Sequence, residues 1–291
     1  FVIAVICFFT SLNLVWGDII DPSFNENIFW APGHVLQFLN TLLMLLCWYV
    51  MGSILIKSPI IQPRFFSFIT LLFLAAGAVL LSLIVVFDPI SYDGRTSFTL
   101  AQYLLLPFVL SFFFGIAKSH RLNFDFIKKN EWKSPISIAF FSSIIVFGIG
   151  GILGIFVDGA DTRTPAHYHG VIGGVNIAFI GLFFYFFVPI LRSTIISTVR
   201  VPVSFNENKA IIITILCYGL GQILHSIGLF FAGGYGAPRK TPGDIDSLTA
   251  IGAKISLYAM GVGALIAVIG GIVFIFTASR ALLMHNYKKN K

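Results

Sequence analysis

Long, unbroken apolar runs constrain this chain more than anything else in its sequence. They cover about 1–16, 34–56, 65–87, 99–117, 135–157, 167–191, 209–232 and 250–278. A lipid bilayer offers no water to backbone N–H and C=O groups, so only helices and closed barrels can cross it. Barrel strands alternate apolar and polar residues, whereas these runs are continuous. The expected fold is therefore all-α: a polytopic membrane helix bundle of about eight transmembrane helices. Composition agrees. Of 291 residues, 57% are hydrophobic and 11% charged, against about 25% charged in soluble domains. No repeat or low-complexity tract breaks the pattern, so residues 1–291 read as a single transmembrane domain. The opening run, Phe1 to Trp16, is shorter than the roughly 20 residues a span needs. It also lacks the basic segment and cleavage site of a signal peptide, and the N-terminus reads as truncated.

The loops between these runs alternate in charge. One set, with the C-terminal tail, carries Lys57, Arg64, Lys118, Arg121, Lys128, Lys129, Lys133, Arg192, Arg200, Arg280, Lys288, Lys289 and Lys291, which is 13 of the 19 basic residues. The other set carries nine acids and only Arg95, Arg163, Arg239 and Lys240. The positive-inside rule assigns the first set to the cytoplasm. The net charge of +7 is thus a topology signal, and it does not point to nucleic acid. The lipid bilayer is the first expected partner. Cys7, Cys47 and Cys217 lie singly inside apolar runs, so neither a disulfide framework nor a thiolate metal site is indicated.

The histidines carry the chemistry. His120 and His285 fall among cytoplasmic lysines and read as solvated loop residues. Four others converge on the outer half of the membrane. His34 opens the second run, His167 and His169 open the sixth, and His225 lies about two turns before the outer end of the seventh. Imidazoles inside a bilayer are costly and mark functional sites. Neutral imidazole is a common ligand of metals and haem iron. Residues two apart on a helix point about 200° apart, so His167 and His169 address two separate sites. His225, taken alone, reads as a hydrogen-bonding partner of a neighbouring helix. Tyr168 faces a third direction, where its simplest role is packing. Arg239 and Lys240 follow His225 in the next outer loop, a cation pair suited to an anionic group such as a haem propionate.

The run Ala166-His167-Tyr168-His169, the preceding Asp161-Thr162, the later Leu224-His225 and Pro238-Arg239-Lys240, and Gly33-His34 before an apolar span together resemble subunit I of the haem–copper oxidases, the cytochrome c oxidase family. The eight runs would match helices five to twelve of a twelve-helix subunit. The resemblance implies two haems, with His167 binding the high-spin haem iron and His169 the low-spin haem iron. It implies that Arg239 and Lys240 hold propionates and that His34 is a ligand of an active-site copper. The second ligand of the low-spin haem would belong to an upstream helix outside this chain. The family's His-His copper pair is absent: the matching stretch is Val85 to Ile90, and no histidine lies between His34 and His120. Leu36, Phe38 and Ser111 stand where the family often carries proton-path or tyrosine side chains.

Function is then expected to be that of a haem-binding respiratory membrane subunit. It would pass electrons from a low-spin to a high-spin haem and on to O2 or a related small oxidant. The implied partners are other respiratory-complex subunits and an electron donor at the outer face, cytochrome c or similar. The implied location is a bacterial or archaeal cytoplasmic membrane, or a mitochondrial inner membrane. An accessory haem subunit that has lost its copper site is the alternative. A proton-coupled transporter is the third reading, disfavoured because no acid lies mid-span and no pair of interrupted helices occurs in matching halves.

Overall fold

A computed structural model describes residues 1–17, 20, 23–119, 131–157, 161–191, 205–239 and 249–283. Among these the chain is all-α and polytopic, with seven helices long and apolar enough to cross a membrane. It divides into two compact units, Phe1–Phe124 and Asp125–Lys291, each described by itself.

The first unit holds α1 (Val2–Leu14), α2 (Phe24–Ile56), α3 (Pro63–Val86), α4 (Tyr92–Ala101) and α5 (Leu105–Lys118). A short 3₁₀ turn, Gln102–Leu104, joins α4 to α5 so that Tyr92–Lys118 forms one span. At about 1.5 Å per residue, the 13 residues of α1 fall short of a hydrocarbon core about 30 Å thick. The other seven of the expected eight are long and apolar enough to span. The ends of the elements follow local chemistry. Pro63 occupies the first turn of α3, where its missing N–H costs no bond. The Ser91 hydroxyl caps α4 by accepting from the Gly94 N–H at 3.0 Å. Lys57 ends α2 in the left-handed region at φ 57°. Trp48, Met44, Leu45, Met51 and Phe112 form the buried centre.

The second unit holds α6 (Pro135–Gly154), α7 (Arg163–Leu182), α8 (Phe205–Gly234) and α9 (Ile251–Leu283). A π-helical turn, Phe183–Phe187, extends α7. Association of helices in lipid draws on close packing, because lipid tails are as apolar as leucine. Glycine supplies that closeness here. A side chain at Gly150 would strike the backbone of Gly170 and Val171, and one at Gly174 would strike Phe147, so α6 and α7 touch backbone to backbone. Gly228 meets Met260 and Gly263 meets the backbone of His225, joining α8 to α9 in the same way. Ser143 adds a buried bond, its hydroxyl donating to the Gly174 carbonyl at 2.7 Å. The outward face of α9 is apolar: Ile255, Leu265 and Phe276 are more than half exposed. Such a surface suits lipid and would be a liability in water.

Several helices begin earlier than their apolar runs. α2 starts at Phe24, ten residues before His34, and α7 at Arg163, four before His167. Hydropathy marks where lipid begins, whereas backbone hydrogen bonding continues into the polar flank. His34 therefore does not open its helix but lies about three turns inside it, beyond Pro32.

Gly263→Leu should separate α8 from α9 and destabilise the protein by about 1–3 kcal/mol, the usual cost of overpacking. Gly261→Leu, where an added side chain meets open space, should leave stability within about 0.5 kcal/mol. Thermal unfolding of the two variants in detergent measures the difference.

Candidate functional site

The His167/His169 pair lies on the second turn of α7. The two side chains part company, as a 200° separation requires. The ring of His167 turns to α6. Its Nδ1 is 2.8 Å from the Gly150 carbonyl oxygen, and any side chain at Gly154 would collide with the imidazole. A carbonyl only accepts, so the ring donates through Nδ1 and Nε2 is left free of this bond. His169 turns instead to α8, where its ring meets the His225 ring edge to face, with centroids 4.6 Å apart and planes at 80°. The Nδ1 of His225 donates in turn to the Met260 carbonyl on α9 at 3.0 Å. His225 therefore does hydrogen-bond a neighbouring helix, and it also packs on the second histidine of the pair. All three imidazoles are half-buried.

Arg239 is brought to the pair by a chain of backbone contacts. α8 ends in a turn in which Gly236 adopts φ 86°, and the Ala237 N–H returns to the Ala232 carbonyl at 3.0 Å. Glycine reaches that region without strain. Asp161 and Pro238 then form an antiparallel bridge. The Thr162 N–H donates to the Ala237 carbonyl at 3.1 Å, and its hydroxyl donates to the Leu229 carbonyl at 2.7 Å. This clasp sets the Arg239 guanidinium over the ring of Tyr168 at 5.9 Å. Tyr168 also lies against His169, with ring centroids 5.1 Å apart. It is thus a platform between a cation and an imidazole rather than simple packing. The Nε of Arg239 is buried and has no hydrogen-bond partner among the described residues. Lys240 lies outside the described residues, as do His120 and His285.

The start of α7 is fixed by Asp161. Its Oδ1 accepts from the Arg163 N–H at 2.8 Å, and its Oδ2 pairs with the Arg163 guanidinium at 2.6 and 2.9 Å. These hydrogen bonds to Arg163 hold the Asp161 carboxyl below the usual carboxylate range.

His34 belongs to the first unit and has its own surroundings. Its Nδ1 donates to the Trp30 carbonyl one turn back at 2.7 Å, and its ring lies 4.8 Å from that of Trp30. Arg95 stands over the other part of this cluster, 4.8 Å from the Trp30 ring and 3.0 Å from Glu26. The Gln102 amide donates to the His34 carbonyl at 3.1 Å. Among the described residues, no three His, Cys, Asp or Glu side chains gather at a position that could hold a metal ion. Sequence reasoning missed Trp30, Arg95 and Gln102. The available signal was Arg95 itself, an isolated cation beside an apolar run.

No family model matches the sequence. The chain is 28% identical, over a 289-residue alignment, to an uncharacterized protein of Rickettsia prowazekii, covering 88% of this chain and 54% of the relative. It is 26% identical over 159 residues to an uncharacterized protein of Aquifex aeolicus, covering 55% of this chain and 37% of the relative. The chain spans about half or less of the length of these curated relatives.

Asp161→Ala should remove both the backbone cap and the ion pair at the start of α7, costing about 1 kcal/mol at neutral pH. A carboxyl with a lowered folded pKa stabilises the fold above its unfolded value, and that contribution is lost as pH falls through the folded value. The gap between wild type and variant should therefore be full above about pH 5 and close progressively below about 3.9. Thermal midpoints measured across this range check the direction.

Proposed function

We propose that this chain is the haem-bearing part of an integral membrane oxidoreductase subunit of the haem–copper oxidase type. In this reading its spans are helices five to twelve of the larger subunit. His167 would hold the iron of a high-spin haem and His169 that of a low-spin haem, with Arg239 and Lys240 directed to propionates. The observation that carries the reading is the splitting of two imidazoles from one helix turn toward different neighbours. His167 is engaged at Nδ1 by the Gly150 carbonyl, which leaves Nε2 as the ligating nitrogen. Iron- and metal-bound histidines characteristically donate their other ring N–H to a carbonyl or carboxylate. Arg239 adds a cation beside the pair, and its buried, unpartnered Nε calls for an acceptor such as a carboxylate.

Bound haem supplies one-electron redox chemistry and, where its iron has an open position, binding of O2 or a related small oxidant. The chain's own residues do the rest. Gly150 and Gly154 fix the orientation of His167, Tyr168 keeps Arg239 next to the pair, and the apolar helices exclude water. Copper is a separate matter. His34 presents an imidazole whose Nδ1 is likewise tied to a carbonyl, but the sequence supplies no histidine between His34 and His120. That absence favours a second reading, a haem-carrying electron-transfer or accessory subunit without a full copper site. In either reading the partners are other respiratory subunits and an electron donor at the outer face, cytochrome c or similar. The basic loops then face the cytoplasm of a bacterial or archaeal cell, or the matrix of a mitochondrion.

Alkaline-pyridine spectroscopy of the purified protein should find haem, and His167→Ala and His169→Ala should each lose about half of it. Unchanged haem in both variants would sink the proposal. Gly154→Leu keeps both histidines yet displaces the His167 ring, and it should lower haem content as His167→Ala does. Gly151→Leu, where the added side chain meets open space, should not. Oxygen uptake from a reduced donor, together with copper analysis, separates the catalytic from the accessory reading.

A further inference from the structure

The turn between α2 and α3 gathers cations from separate parts of the first unit. α2 closes with Lys57 at φ 57°, and the Ser58 N–H returns to the Ser53 carbonyl at 3.1 Å. The chain then doubles back: the Ile60 N–H donates to the Ser53 hydroxyl oxygen at 3.0 Å, and Ile60 and Ile61 are buried. Gly115 of α5 packs on this turn, where any side chain would strike Ile61 and the ring of Phe65. Lys118 lies one helical turn beyond Gly115, and Arg64 precedes Phe65. Lys57, Arg64 and Lys118 therefore share one end of the unit, and all three are exposed. Arg64 and Lys118 have no ion-pair partner among the described residues. No Asp or Glu occurs on α3, on α5 or in the turn itself.

Beneath the cations the outward side is aromatic. The Phe65 ring lies 6.1 Å from that of Phe68 and 6.3 Å from that of Phe114, bridging α3 and α5. Phe68 and Phe114 are more than half exposed, as are Leu71 and Leu110 one turn deeper. Such a face accepts the acyl chains of any lipid, so the cations above it decide which headgroup is held. A headgroup with net negative charge gains from them, and a zwitterionic one gains less. Topology alone accounts for basic residues in a loop, but not for the backbone of Lys57. The residue just past such a helix end is usually glycine, because a side chain in the left-handed region is costly. A lysine held in a strained conformation points to a task for its side chain.

We propose that Lys57, Arg64 and Lys118 hold the headgroup of an anionic phospholipid, whose acyl chains lie along Phe65, Phe68 and Phe114. On the positive-inside assignment this lipid belongs to the cytoplasmic leaflet. The docking surface is separate from the histidines and does not depend on haem ligation.

The test is native mass spectrometry of the full chain in detergent, titrated with dioleoylphosphatidylglycerol and with dioleoylphosphatidylcholine. The phosphatidylglycerol should bind about tenfold more tightly or better. Arg64→Gln and Lys118→Gln should each weaken it about fivefold, the effect of one basic residue at a membrane surface, and leave phosphatidylcholine binding unchanged. Lys254→Gln removes the same charge from an exposed position of the second unit and should change neither. Lys57→Gly should also weaken phosphatidylglycerol about fivefold, yet leave the thermal midpoint unchanged or higher, because glycine adopts the left-handed region without strain. The same loss with a lowered midpoint would assign Lys57 to the fold and overturn its part in the proposal. Glycerol 3-phosphate, a headgroup without acyl chains, should compete poorly. Equal binding of the two lipids, an equal loss in Lys254→Gln, or full competition by glycerol 3-phosphate overturns the proposal.

Discussion

Direct backbone contact between helices is the constraint on which the second unit depends. In lipid, apolar side chains gain nothing by leaving the solvent, so helices associate only where they fit closely. Gly150 against Gly170, and Gly263 against the backbone of His225, bring α6 to α7 and α8 to α9 at that range. The same contacts place the imidazoles. His167 reaches the Gly150 carbonyl because α6 is near enough to offer it, and Gly154 leaves room for the ring. His225 reaches Met260 across the seam that Gly263 and Gly228 create. Packing and site are therefore one arrangement, and a residue that widens a seam also frees a histidine.

The second consequence concerns protons. An imidazole in a bilayer must satisfy its N–H internally. Three of the four histidines do so through Nδ1 and a backbone carbonyl, at 2.7, 2.8 and 3.0 Å. A carbonyl has two lone pairs, so it can accept from a side chain while keeping its helical bond. This arrangement satisfies the ring without any buried carboxylate, and it suits a membrane interior where a charged partner would be costly.

Much of this was legible beforehand. Continuous apolar runs gave the helices, because lipid forbids unsatisfied backbone. The two-residue spacing of His167 and His169 gave their divergence, because helical pitch is fixed. Other features were not legible. The upstream turns of α2 and α7 escaped notice because hydropathy reports lipid contact and not hydrogen bonding. The carbonyls of Gly150 and Met260 have no side-chain signature, so no pattern in the sequence could name them as partners. Tyr168 is similar: its place beneath Arg239 depends on the clasp between Asp161 and Pro238, a contact between residues 77 positions apart.

His34 shows where resemblance and geometry part. Its Nδ1 is held by its own helix, through the carbonyl of Trp30, so its orientation needs no neighbouring helix. Around it, Glu26 and Arg95 form an ion pair at 3.0 Å, and Arg95 also lies over Trp30. An arginine near an apolar span is stabilised by such a carboxylate and an aromatic face together. The buried Nε of Arg95 and Oε1 of Gln102 still lack partners among the described residues, so the cluster is polar beyond what its own bonds satisfy. A histidine set this way holds its orientation through its own helix alone. His167 differs: its orientation requires two helices in register, because the carbonyl that meets its Nδ1 belongs to α6.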